Sequence, residues 1–192
     1  ETGTDRCYTW VPPASNERPY DENFAFHVAR LRPIAEILGE AGCRLGLEFV
    51  GPATSRRNAR YPFLWTIAGM LELAAAVGSN VGLLVDSWHW YTAEQSVADL
   101  EALTAEQVVY VHVNDAPAGI PVSEQIDHVR CLPGETAVIE IGDFLNALEA
   151  IGYDGPVTPE PFSQKLREME PEEAIKLAGH AMDTIWAVAG WI

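Results

Sequence analysis

The run Gly82-Leu-Leu-Val-Asp86 narrows the choice of fold more than any other stretch of the chain. It is apolar without alternation until its last residue, which is how a strand reads when both of its faces are covered, as in a parallel sheet flanked by helices. It ends on a carboxylate, and His89 follows three residues later. The carboxyl ends of parallel strands open onto the face where such sheets carry out chemistry. Taken alone, Asp86 serves equally well as a turn initiator, and His89 as an exposed loop residue.

Four other runs read as strands: Cys7 to Trp10 ahead of Val11-Pro-Pro13, Arg44 to Phe49 closed by Gly51-Pro52, Val108 to Val113, and Gly155 to Glu160. Helical patterns separate them. Asp21 is placed to cap a helix carrying Phe24, Val28, Leu31, Ala35 and Leu38, with Pro33 expected to kink or break it before Gly42. Leu64, Ile67, Leu71 and Ala74 mark a second helix ending at Gly78, and Thr92 with Gln95 resembles a capping box that starts a third, through about Leu103. Ile141, Leu145, Leu148 and Ile151 give a short helix stopped by Gly152. The last helix begins near Pro171 and carries Ile175, Ala178, Met182 and Ile185. Residues 114 to 141 form a long loop, a length uncommon unless the loop has a task such as covering a site.

Strands separated by helices imply right-handed crossovers and parallel pairing, repeated about five times within one domain, 1–192. An eight-stranded barrel usually takes roughly 250 residues, so this many units are too few to close one. An open five-stranded doubly wound sheet is the alternative. Against it, no glycine-rich phosphate loop joins a strand to its helix.

Charge narrows the partners. Twelve basic residues against 28 acidic ones give a net charge of −16, which repels nucleic acid and anionic membrane surfaces. No apolar run approaches the roughly 20 residues of a membrane helix, and no signal-peptide pattern opens the sequence. Cys7, Cys43 and Cys131 are odd in number and lack metal-type spacing. A cytoplasmic location is the expectation.

Four strands in succession end near a potential metal ligand: Glu48, Asp86, His112 and Glu160. Each has a bland reading as a cap, a turn residue or a core histidine. Burying three carboxylates together without a cation, however, costs several kcal/mol per charge. Three carboxylates and one imidazole suit a hard or borderline divalent cation, with Mn²⁺ placed first and Mg²⁺, Co²⁺ or Zn²⁺ as alternatives.

The segments Gly46 to Pro52, Leu83 to Trp90, Val109 to Asp115, Arg130 to Glu135 and Thr158 to Phe162 together resemble the sugar phosphate isomerase/epimerase family of xylose isomerase-like barrels. The resemblance implies an α/β fold, a parallel (β/α)₈ TIM barrel. It places the chain at about strands 4 to 8 with their helices, an incomplete barrel. It also implies that Glu48, Asp86, His112 and Glu160 hold a divalent metal ion and that Glu48 and Glu160 act as the acid/base pair. His89 and Arg130 would then contact substrate oxygens, and Trp10 would form an aromatic wall. Two departures stand out: the family's epimerases carry a second glutamate where this chain has Thr54 or Ser55, and Thr136 replaces a common glycine.

The activity implied is isomerisation or epimerisation of a sugar or sugar-like hydroxy-ketone through proton abstraction and an enediolate. The alternatives are a lyase of the inosose dehydratase kind, or an inactive or sugar-binding fragment. The expected partner is a small sugar, with a homo-oligomer possible. Among the other polar and aromatic residues, Asp115 reads as a support for His112 or as a turn residue, and Trp88 and Trp90 as pocket walls or packing. His128 lies in the long loop within possible reach of the site. His27 and His180 read as surface residues, and Arg56, Arg57 and Arg60 as a solvated cluster or a phosphate site.

Overall fold

The computed structural model describes residues 3–192. Strand β1 (Arg6–Val11) and the short β2 (Ala14–Ser15) lead into helix α1 (Tyr20–Glu40), then β3 (Arg44–Phe49) and the short β4 (Tyr61–Pro62). Helix α2 (Ile67–Val77), β5 (Val81–Asp86), α3 (Ser87–Thr92), α4 (Val97–Glu101) and β6 (Val108–Val113) follow. After a long loop come α5 (Ile141–Ala150), β7 (Val157–Pro159), α6 (Gln164–Arg167) and α7 (Pro171–Ala189). The main sheet is parallel throughout, in the order β1-β3-β5-β6-β7, while β2 and β4 pair antiparallel.

Period-two alternation gives each strand two faces. Leu45, Leu47, Phe49, Leu83, Val85, Val111 and Val113 point to the helices and form one buried cluster with Met70, Leu73, Leu100, Phe144, Leu145 and Ile185. The other face carries Tyr8, Gly46, Gly82 and Tyr110. Tyr8 on β1 and Tyr110 on β6 have ring centroids 4.9 Å apart although β3 and β5 run between their strands. In a flat sheet three strand spacings would separate them by roughly 14 Å, so the sheet is curled about this face. Glycine at 46 and 82 permits the curl: a Cβ at Gly82 would lie 2.5 Å from the Gln107 carbonyl oxygen, and one at Gly46 would sit 3.3 Å from the Cβ atoms of both Tyr8 and Val109. Core helices on one face and a concave opposite face are the geometry of a barrel wall, not of a doubly wound sheet.

Several local expectations need correction. Helix α1 starts after Pro19 without a side-chain cap and runs unbroken through Pro33. Ala29, whose carbonyl would have bonded the residue at 33, is exposed, so water can take the place of the missing N–H. Thr92 starts no helix. Its hydroxyl donates to the Trp88 carbonyl at the end of α3, and the capping box lies at Ser96 and Asp99, ahead of α4. No helix among the described residues is long and apolar enough to cross a membrane.

Candidate metal site

The four ligand candidates meet at the carboxyl end of the sheet. Glu48, Asp86, His112 and Glu160 each bring one ligand atom to within 4.8 Å of the others. Glu48 on β3 and Glu160 just beyond β7 reach the cluster from opposite sides, with β5 and β6 between them.

Asp86 caps α3 and also lies in the cluster. As the cap of α3 its Oδ1 accepts the Trp88 N–H at 2.8 Å, and both oxygens accept from Asn114 Nδ2 at 3.0 and 3.2 Å. Its Oδ2 accepts from Arg130 Nη1 at 2.7 Å. Burial opposes its charge, but Arg130 and the neighbouring imidazoles hold Asp86 below the usual carboxylate range. Glu48 goes the other way, pushed up by burial against the pull of His112.

His112 stands edge-on to the rings of Tyr8 and Tyr110. Its Nδ1 lies 3.5 Å from Glu160 Oε2 and 3.7 Å from Glu48 Oε1, too far for good hydrogen bonds. Burial alone would lower its pKa, but Glu160 and Glu48 raise it to about 9. His112 Nδ1 and Glu48 Oε1 are both buried without a hydrogen-bond partner. Unpaired buried polar atoms are costly, and here they converge with two further carboxylates. That donor set fits a divalent cation, which would be held by Glu48, Asp86, His112 and Glu160.

His89, in α3, accepts the Gly51 N–H on Nδ1 at 3.2 Å, so the ring proton sits on Nε2. A Cβ on Gly51 would lie 2.2 Å from the His89 carbonyl oxygen, so only glycine brings its N–H this close. His89 Nε2 faces Glu48 Oε1 at 3.8 Å. Arg130 is buried between the faces of Phe162 and Trp88 and also donates to Glu160 Oε2 at 2.9 Å. Trp10, 61% exposed, walls a cavity of about 440 Å³ that Glu48, His89, Arg130 and Glu160 also line.

Other candidates fall outside the site. Asp115 does not touch His112: its carboxylate accepts the N–H groups of Ala116, Thr136, Ala137, Val138 and Ile139, all within 3.2 Å. Trp88 and Trp90 are core residues, and His128 and His180 are exposed. His27 is half-buried, stacked on Phe63, and not a surface residue. Arg57 pairs with Glu124, Arg56 covers Trp65 and Arg60 covers Tyr61, so this cluster is tied into its own loops. Sequence reasoning passed over Asn114 and Asp127, the second of which lines the cavity.

A curled parallel α/β sheet with helices on its outer face and an acid and histidine cluster on its carboxyl rim has the architecture of a TIM-barrel wall with a candidate metal site. The chain belongs to the xylose isomerase-like TIM barrel family, whose model matches residues 1–184. It is 31% identical over 149 residues to an inosose isomerase of Halalkalibacterium halodurans, covering 77% of this chain and 50% of that protein. It is 30% identical over 138 residues to a 3-dehydroshikimate dehydratase of Pseudomonas aeruginosa, covering 71% of this chain and 20% of the relative. A xylose isomerase domain protein from Alicyclobacillus acidocaldarius superposes with a TM-score of 0.84 at 34% identity, over 98% of this chain and 66% of that structure. The chain thus spans about half the length of the inosose isomerase it matches.

Proposed function

We propose that the protein is a divalent-metal-dependent isomerase or epimerase of a sugar or sugar-like hydroxy-ketone. In this reading its sheet forms about strands 4 to 8 of an eight-stranded barrel. The observation that carries the activity is the convergence of Glu48, Asp86, His112 and Glu160, with buried, unpaired atoms on Glu48 and His112. Two findings support the barrel reading: the curl of the sheet, and β1 and β7 each having a single neighbour among the described residues.

That Glu48 and Glu160 reach the cluster from opposite sides of β5 and β6 supports a reading in which they address two faces of one carbon. One removes the proton beside the carbonyl, and the other returns it. A positioned acid or base contributes roughly 10²- to 10⁴-fold. His89 donates through Nε2–H, and Arg130, always charged, anchors a substrate oxygen. Glu48, Asp86, His112 and Glu160 would hold a divalent cation, which when bound would supply positive charge where oxygen gains electron density. Mn²⁺ is the first choice, with Mg²⁺, Co²⁺ and Zn²⁺ behind it.

The test is a panel of ketoses and inososes with Mn²⁺ in deuterated water, read by proton NMR. Turnover with deuterium entering beside the carbonyl is expected, and Glu160→Gln should lower kcat by about 10²- to 10⁴-fold while keeping the circular dichroism spectrum. Unchanged turnover in that variant would remove the mechanism. The likeness to a 3-dehydroshikimate dehydratase favours a second reading, loss of a β-hydroxyl after the same proton abstraction. A product lighter by one water identifies it.

A further inference from the structure

His89, Arg130 and Asp127 form a triangle at the cavity wall. Arg130 Nη2 is 3.3 Å from His89 Nε2 and donates to Asp127 Oδ1 at 2.9 Å, and His89 Nε2 lies 3.8 Å from that same oxygen. With Nδ1 occupied by the Gly51 N–H, His89 Nε2 carries a proton, and Arg130 has only donors. Two donors 3.3 Å apart cannot bond each other, so both are free to serve one acceptor oxygen from outside. Asp127 complements them. Its side chain is 36% exposed, and its Oδ2 has no partner among the described residues.

We infer that Asp127 completes, beside His89 and Arg130 as substrate contacts, a seat for a single polyol hydroxyl, accepting a hydrogen bond from the hydroxyl while His89 and Arg130 donate to its oxygen. The inference rests on the sugar-enzyme reading and extends it to a residue that decides specificity. A sugar hydroxyl is donor and acceptor at once. Glu48 and Glu160 are committed to the cluster, and the remaining wall is largely apolar, with Trp10, Val50 and Phe162. Asp127 is therefore the carboxylate left to accept a hydrogen bond from a hydroxyl there. The Asp127 carbonyl also accepts from Arg130 Nε at 2.9 Å, so the backbone holds the arginine in place when the side chain is changed.

The experiment compares a turned-over polyol ketone with its monodeoxy analogues in the wild-type protein and in Asp127→Ala, by kcat/KM and by calorimetric binding, with Mn²⁺ affinity measured alongside. One deoxy analogue is expected to bind the wild type about ten- to hundred-fold more weakly than its parent, while Asp127→Ala loses that preference and keeps its Mn²⁺ affinity. Equal discrimination in both proteins overturns the seat. Absence of turnover by the wild type counts against the proposed reaction alone, since the ratio of binding constants still tests Asp127. Asp127→Asn, which keeps an acceptor oxygen, should restore part of the preference; a variant that lowers every analogue equally, without such rescue, shows a structural role and overturns the inference.

Discussion

Two fully buried carboxylates, Asp86 and Asp115, stand at the carboxyl rim of the same sheet and are used in opposite ways. Asp115 takes five backbone N–H groups and touches no other charged group by hydrogen bond. Asp86 shares its oxygens among a backbone N–H, an amide and a guanidinium, and sits in a cluster where Glu48 and His112 keep unpaired atoms. The first knot is self-sufficient and shapes a loop. The second is balanced by charge, which is the condition for exchanging a partner. A buried acid therefore signals a site when its surroundings fail to satisfy one another.

The largest expected difference between the two regions is in stability. Asp115→Ala leaves five amides without an acceptor and should cost about 3–5 kcal/mol, measured by urea unfolding. Glu48→Gln, which removes a charge that burial already disfavours, should change the metal-free protein by less than about 1 kcal/mol while weakening metal binding. Similar losses in both variants would erase the distinction.

Next comes pH. With its pKa raised to about 9, His112 carries a proton at neutral pH that a bound cation must displace. Mn²⁺ affinity should rise up to about tenfold per pH unit between 7 and 9 and then level off. Calorimetry in two buffers of different ionisation heat would detect the released proton. In the metal-free protein the sign is reversed: the stabilisation from His112 is full below 6.5 and is lost as the pH rises through about 9.

The smallest effect concerns the loop alone. Ala137 is held at a φ of 54°, in the left-handed region, by the Asp115 knot. Ala137→Gly relieves that strain and should stabilise by about 0.5–1 kcal/mol in thermal unfolding, with metal affinity unchanged.

Strand ends were legible in the sequence because parallel strands, covered on both faces, read as apolar runs, and the candidate ligands sit where those runs stop. Glu48, Asp86, His112 and Glu160 came together for that reason, although 38, 26 and 48 residues separate them. Asp127 and Asn114 were not legible. Both lie beyond β6, where side-chain direction depends on how residues 114 to 139 fold back, and that path is set by bonds from Asp115 to amides more than 20 residues away. No periodicity encodes such a contact. The misplaced capping box had a similar origin: Thr92 and Gln95 have the right spacing, but the Thr92 hydroxyl is spent on Trp88, and Gln95 accepts the Ile67 N–H.

The anchoring of the long loop has an evolutionary consequence. Asp115 grips residues 136 to 139 through their main-chain N–H groups, which excludes proline there, while the Thr136 hydroxyl bonds the Ala116 carbonyl and the Ile139 side chain packs in the core. None of these four residues lines the cavity, so a lineage can vary cavity residues such as Asp127 and Ser55 while this anchor keeps the end of the loop in place.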